Sequence, residues 1–181
     1  MNTILEEPVL APDFSPPGMP DPLPEHAWLA KYVGEWESSA EMQCDPTQPP
    51  MLCTGTESAR MLGGHWLVAQ GSSDMGPMRF ESVLTLGFEP QRQIYIGSWI
   101  DSMTGYFWQY EGAVNAAGTT LSLDTMGPYP ANPDRLTRFR EVTEFKSADL
   151  RVFTSSVEGD DGSWRTLMTV HYRRKHQPSP R

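Results

Sequence analysis

Apolar and polar residues alternate with a period of two along much of the chain. In residues 34–42 one face is small or apolar, and the other is polar and rich in glutamate. The same alternation recurs in residues 78–86 and 164–172. Successive side chains of a β-strand point to opposite faces of its sheet, so this pattern predicts strands with one side in water. The inward positions are Trp36, Ser38, Ala40 and Met42, then Met78, Phe80, Ser82, Leu84 and Leu86, then Trp164, Thr166, Met168, Val170 and Tyr172.

The number and spacing of these runs predict the fold class. Turn-forming residues such as Asn115–Gly118 and Asp160–Gly162 separate several of them. We therefore expect an all-β fold, an up-and-down antiparallel barrel of about ten strands, since closure removes exposed strand edges. Further strand-like runs lie around 52–61, 64–72, 92–101, 104–114, 119–126, 135–146 and 149–158.

The N-terminal part of the chain follows a different pattern. Seven prolines fall in residues 1–24, which predicts an extended or disordered arm. Residues 25–33 have apolar side chains at helical spacing and predict one short helix, which we expect to dock at a barrel mouth. The barrel domain is expected to span residues 25–175, followed by a disordered tail at 176–181.

Composition narrows the function classes. The 181 residues fit one domain, and the net charge of −9 argues against nucleic acid or an anionic membrane as a partner. The sequence contains neither a transmembrane run nor a secretory signal, so we expect a cytoplasmic protein. In a reducing compartment Cys44 and Cys53 are expected to be free thiols.

Several motifs occur together in this chain: Tyr32-Val33-Gly34-Glu35-Trp36, Leu62-Gly63-Gly64, Trp66-Leu67-Val68, Trp99-Ile100-Asp101-Ser102-Met103 and Tyr172-Arg173-Arg174-Lys175. In combination they resemble a bacterial family, domain of unknown function 1579. The resemblance covers residues 28–175 and implies a calycin-like barrel, the broad group of lipocalins and fatty-acid-binding proteins, but implies no activity. Two features differ from the family pattern: His65 replaces an arginine, and the loop 126–135 is rich in proline.

A barrel lumen with aromatic walls and a few cations suits a small amphiphilic ligand. Tyr172 and Arg174 share a face with Val170, and this pair resembles the carboxylate clamp of fatty-acid-binding proteins. Arg140 is a second candidate cation. In the alternative prediction, Arg174 lies beyond the end of the barrel and pairs with a surface acid. The candidate ligand contacts are Trp36, Arg60, Trp66, Trp99, Trp108, Arg140, Tyr172 and Arg174.

Acid–base chemistry needs only one or two polar groups in such a cavity. Asp101, Tyr172 and Arg140 are the candidate catalytic residues. If Asp101 points inward with Trp99, it is a carboxyl in an apolar wall; if outward, it only starts a turn. Glu57 and Glu111 are expected to face water, with an internal pair to Arg60 or Arg140 as the alternative.

Cofactor motifs are scarce. His65 and His171 lie in predicted strands and are the candidates for haem ligation, although a lone strand histidine is usually a surface or hydrogen-bonded residue. We find no spacing typical of a zinc or non-haem iron site, no nucleophile elbow and no nucleotide fingerprint.

Four hypotheses follow. The first is a barrel that binds a small apolar or aromatic, and in one variant acidic, molecule. The second is a cofactor-independent barrel enzyme, such as a cyclase, isomerase or hydrolase, acting on a small hydrophobic metabolite. The third is a haem barrel, and the fourth is a structural subunit. The Pro-rich arm or the barrel wall is the expected contact of a homodimer.

Overall fold

A computed structural model describes residues 20–43, 47, 49–75, 78–130 and 132–176. Cys44 and residues 1–19 of the predicted arm lie outside this range. The ten strands of the described part are β1 (Gly34–Met42), β2 (Met51–Leu62), β3 (Trp66–Met75), β4 (Met78–Glu89), β5 (Ile94–Asp101), β6 (Trp108–Val114), β7 (Thr120–Tyr129), β8 (Asn132–Phe145), β9 (Leu150–Glu158) and β10 (Trp164–Arg174).

The strands form a closed antiparallel barrel. Each strand pairs with the next one in the sequence, and β1 closes the sheet by pairing with β10. The closing register runs from Trp36 opposite Arg174 to Met42 opposite Met168. Every strand thus has two neighbours, and the predicted ten-stranded barrel is confirmed.

A short helical segment closes one end of the barrel. Helix α1 (Pro24–Trp28) continues into a 3₁₀ turn at Leu29–Tyr32. Leu29 and Tyr32 are almost fully buried and complete the hydrophobic core at this end. The Trp28 indole Nε1 donates to the carbonyl oxygen of Gly118 at 2.9 Å, which anchors the segment to the β6–β7 turn. Gly118 has a φ of +67°, a conformation that glycine adopts without strain.

Most inward positions follow the predicted alternation. Ser38, Ala40 and Met42 of β1 face the lumen, as do Phe80, Ser82, Leu84 and Leu86 of β4. The prediction for β10 is wrong at its start, because a β-bulge between Thr166 and Met168 shifts the register. Met168, Val170 and Tyr172 face the lumen, whereas Trp164 lies on the outer wall with its ring 4.6 Å from the Arg140 guanidinium.

Candidate functional site

The barrel encloses a cavity of about 340 Å³. Tyr32, the last residue of the helical segment, lies at the closed end, and Met42, Asp101 and Met103 border the opposite end, which we call the mouth. The volume lies in the range of small-molecule pockets. The wall is mainly aromatic and apolar, with Phe80, Leu84, Trp99, Trp108, Phe139, Phe153 and Met168 among its side chains.

A buried ion pair forms part of the cavity wall. Arg151 Nη2 donates to Glu57 Oε1, and the two side chains are only 3% and 7% exposed. Burial raises the pKa of Glu57, and the charge and hydrogen bond of Arg151 oppose that rise. Such a pair neutralises both charges, so neither offers a full counter-charge to a ligand.

Three aromatic rings surround the Arg151 guanidinium. Its central carbon lies 3.9 Å from the ring centre of Tyr172, 4.8 Å from that of Trp36 and 4.9 Å from that of Tyr32. Burial raises the pKa of the Tyr32 phenol to about 12, and burial likewise raises that of Tyr172. The Nε of Arg151 is buried without a hydrogen-bond partner among the described residues. The rings hold the guanidinium by cation–π contacts and restrict its orientation.

Glu141 is a second buried acid, and it has no ion pair among the described residues. Its side chain lines the cavity, and the residue is 7% exposed. Ser155 Oγ donates to its Oε1 at 3.0 Å, whereas its Oε2 has no partner in the described structure. Burial raises the pKa of Glu141 to about 8, although the Ser155 hydrogen bond lowers it. Its carboxyl is therefore mostly protonated at neutral pH, with one oxygen available to a bound molecule.

Asp101 both faces the cavity and caps a turn. Its Oδ1 accepts hydrogen bonds from the backbone amides of Met103 and Thr104, both at 2.8 Å. Its Oδ2 accepts from Trp99 Nε1 at 3.3 Å. Asp101 therefore both faces inward and starts a turn, which were predicted from the sequence as alternatives. Its hydrogen bond to Nε1 holds the Trp99 ring at the cavity wall.

The structure brings some of the predicted site residues together. Trp99, Trp108, Tyr172 and Asp101 line the cavity. Trp36 does not line the cavity; it is fully buried beside Arg151 at the closed end of the barrel, and its Nε1 donates to the Tyr32 carbonyl oxygen at 2.7 Å.

Other predicted residues lie elsewhere. Arg60 and Trp66 are exposed on the outer face, since the neighbouring inward positions are Ala59 and Leu67. Arg140 is also on the outer wall, where its Nε binds Asp124 Oδ1 at 3.0 Å. Arg60, Trp66 and Arg140 were predicted to contact a ligand in the lumen, but all three lie on the outer surface of the barrel.

Arg174 belongs to the closed end of the barrel. Its guanidinium lies 4.2 Å from the Trp36 ring and donates to the carbonyl oxygens of Val33, Lys31 and Ala148. It also forms an ion pair with Asp149 at 3.3 Å, which agrees with the alternative prediction that Arg174 pairs with a surface acid. Arg174 thus fixes the helical segment to the barrel and does not line the cavity.

Neither candidate haem ligand reaches the cavity. His171 is exposed on the outer face of β10. His65 packs edge-on against His26 at 4.9 Å, near the closed end, and its Nε2 lies 3.2 Å from the Pro20 carbonyl oxygen. Within the described residues, no cluster of three His, Cys, Asp or Glu side chains is arranged to hold a metal ion.

Sequence reasoning missed Arg151 and Glu141 and misplaced Glu57. Glu57 faces the lumen and pairs with Arg151, not with water, Arg60 or Arg140, whereas Glu111 is exposed and pairs with Arg92. The sequence pattern did contain this information. Glu141 lies two residues from both Phe139 and Thr143, and Arg151 is followed at two-residue intervals by Phe153, Ser155 and Val157. A strict period-two reading places both on inward faces.

The family comparison agrees with this architecture. Residues 21–174 match the model of a family described as "Protein of unknown function (DUF1579)". The chain belongs to this family. No curated protein matches the chain.

Solved structures share the fold at low sequence identity. The structure of Rv2717c from M. tuberculosis aligns with a TM-score of 0.63 and 12% identity, covering 86% of this chain and 100% of that one. The S-type phycobiliprotein lyase CPES from Guillardia theta aligns with a TM-score of 0.57 and 15% identity, covering 85% of this chain and 94% of that one. At such identities the likeness shows the barrel fold alone. No helix in the described part of this DUF1579 chain is long and apolar enough to span a membrane.

Proposed function

We propose that this DUF1579 protein binds a small, largely apolar molecule inside its barrel. The observation that carries the proposal is the cavity of about 340 Å³, with aromatic side chains along its wall and a few polar groups at fixed positions. A pocket of this kind gains affinity from apolar burial and orientation from its polar groups.

An acidic head group is disfavoured for this ligand. Among the described residues that line the cavity, Arg151 is the only basic one, and Glu57 already neutralises it. A carboxylate would therefore be desolvated without a free counter-charge, close to the acids Glu141 and Asp101. The acidic variant of the sequence-based hypothesis named Arg174, Tyr172 and Arg140 as partners of the acid. Both arginines lie outside the cavity, and only the uncharged Tyr172 phenol lines it.

Binding can be tested with the neutral aromatic probe N-phenyl-1-naphthylamine, whose fluorescence increases in apolar surroundings. We expect saturable binding to the purified chain. Ala40→Trp should abolish it, because Ala40 faces the lumen and a tryptophan there fills the cavity. Ser39→Trp is the matched control, since Ser39 is the neighbouring exposed position on β1. Equal binding to both variants would refute a luminal site.

A second candidate function is proton transfer to or from a bound molecule, which Glu141 specifically favours. A buried carboxyl with a pKa raised to about 8 and a free oxygen can act as a general acid or base near neutral pH. The probe is 2-tetralone in D₂O: the Glu141 carboxylate would remove an α-proton, and solvent would return a deuteron. Exchange measured by NMR should exceed that of Glu141→Gln. Equal rates would refute this candidate.

A further inference from the structure

We propose that the cavity selects ligands that carry a cationic nitrogen, with the Oε2 atom of Glu141 as the counter-charge. This inference rests on the proposed function and specifies the chemical class of the ligand. It differs from the expectation of an acidic ligand drawn from the resemblance to fatty-acid-binding proteins.

Glu141 has one carboxyl oxygen without a partner in the described structure. The side chain is more than nine-tenths buried and lines the cavity, and Ser155 satisfies only its Oε1. A buried polar atom without a partner is destabilising, so a group that a ligand brings to this oxygen gains more than it would at a solvated site. An ammonium or protonated ring nitrogen donates a charge-assisted hydrogen bond to a carboxylate, and a quaternary nitrogen gains its Coulomb attraction.

The charged side chains around the cavity are mostly acidic. Among the described residues that line it, Glu57, Asp101, Glu141 and Arg151 are charged, so three acids face one base. Since Glu57 and Arg151 form an ion pair, Asp101 and Glu141 supply the remaining charge when both are ionised. A cation entering this cavity meets a negative potential, whereas an anion meets repulsion.

The aromatic wall of the cavity also favours a cation. The faces of Trp and Phe rings attract cations, and this cavity presents Trp99, Trp108, Phe80, Phe139 and Phe153. Trp99 is held in place by the Asp101 hydrogen bond, and its ring stacks with Phe80 at a centroid distance of 6.4 Å. Aromatic side chains around a carboxylate are a common arrangement for the recognition of organic cations.

Glu141 and Asp101 act electrostatically on a shared neighbour, Tyr110. Tyr110 on β6 has its pKa raised first by burial and then by the charges of Glu141 and Asp101, which places both acids within reach of one phenol. The other titratable groups that face the cavity, among the described residues, are Cys53, Tyr32 and Tyr172. The assignment to Glu141 therefore needs a variant of Glu141 itself.

Two probes of the same shape test the inference. Phenyltrimethylammonium carries a permanent positive charge, and tert-butylbenzene is its neutral isostere. At pH 9, where Glu141 is mostly ionised, we expect the cation to bind about tenfold more tightly than the isostere in titration calorimetry. Below pH 8 the affinity for the cation should fall, by about tenfold in total, because binding then requires Glu141 to release a proton. The affinity for tert-butylbenzene should change little.

Two variants assign the effect. Glu141→Gln keeps the shape of the side chain and should remove both the preference for the cation and its pH dependence, while tert-butylbenzene still binds. Glu41→Gln is the matched control, because Glu41 is an exposed acid on β1 and its replacement changes the net charge equally. The control should bind both probes as the natural chain does.

The outcomes separate the two proposals. If tert-butylbenzene binds as tightly as the cation at pH 9, or if Glu141→Gln keeps the preference, the cation inference is overturned and luminal binding stands. If neither probe binds and N-phenyl-1-naphthylamine binds equally to the Ala40→Trp variant, both proposals are overturned.

Discussion

Arg151 and Glu57 lie 94 residues apart in the sequence and form a buried ion pair inside the barrel. They come from β9 and β2, and β10 and β1 lie between these strands in the sheet. The pair therefore connects the first and last of four adjacent strands across the inner face of the sheet. Tyr172 and Trp36, from the two strands in between, pack against the guanidinium. This cluster ties the last strands of the chain to the first ones.

Removal of one partner should destabilise the protein more than removal of both. Arg151→Met leaves the Glu57 carboxyl buried without its counter-charge, and we expect a loss of about 3–5 kcal/mol in the free energy of unfolding. The double variant Glu57→Leu/Arg151→Met should recover most of this loss. Urea denaturation of the natural chain and the single and double variants gives the coupling energy. A double variant as unstable as Arg151→Met would contradict the prediction.

Glu141 should make the stability of the barrel depend on pH. Its pKa is raised from 4.5 to about 8 in the folded state, so between these values the folded chain retains a proton that the unfolded chain has lost. The contribution of Glu141 to the free energy of unfolding is therefore fully present below pH 4.5. It declines as the pH rises to 8, by at most about 1.4 kcal/mol per pH unit. The raised pKa of Glu57 adds a change in the same direction.

Glu141→Gln separates this contribution from that of Glu57. Because glutamine cannot ionise, the variant should become more stable relative to the natural chain as the pH rises from 4.5 to 8. Urea denaturation at pH 4.5, 6 and 8 measures the difference. A difference that does not change with pH would contradict the assignment of this titration to Glu141.

Gly127 should be required for the position of Trp108 in the cavity wall. A Cβ atom at Gly127 would lie 1.9 Å from a carbon of the Trp108 ring, so any larger residue must displace that ring. We expect Gly127→Ala to lower the free energy of unfolding by about 1–3 kcal/mol and to shift the tryptophan emission. Gly105→Ala is the control, since nothing lies within 4 Å of its Cβ position. Equal effects of the two substitutions would contradict the prediction.

Arg174 should hold the helical segment on the barrel. Its guanidinium donates to the carbonyl oxygens of Val33, Lys31 and Ala148, bonds that a smaller side chain cannot make. Arg174→Ala should therefore destabilise the chain by about 2–3 kcal/mol and speed the hydrogen exchange of backbone amides in residues 27–33. Arg173→Ala, at the neighbouring exposed position, should leave this exchange unchanged. Unchanged exchange in the Arg174 variant would show that the segment is held by its apolar contacts alone.

The barrel and much of its cavity wall could be predicted from the sequence. Alternation in residues 34–42 and 78–86 identifies the inward faces of β1 and β4, because period-two patterning is a local property of each strand. Trp99, Trp108 and Tyr172 were also predicted as ligand contacts, and all three line the cavity. The bulge before Met168 was not predictable, since an extra residue in a strand leaves no clear mark in its pattern.

The sequence by itself determined the strands, their order and the apolar face of most of them, since these depend on residues close together in the chain. Only the tertiary structure decided which basic side chains face the lumen and which acidic side chains they contact. Arg174 was the first candidate cation on sequence grounds and Arg140 the second, but the barrel places Arg140 on the outer wall and Arg174 at the closed end. Barrel closure brings Arg151 to Glu57 and leaves Glu141 with one unpaired oxygen. Such pairings depend on register and curvature across the whole sheet, which local patterns do not encode.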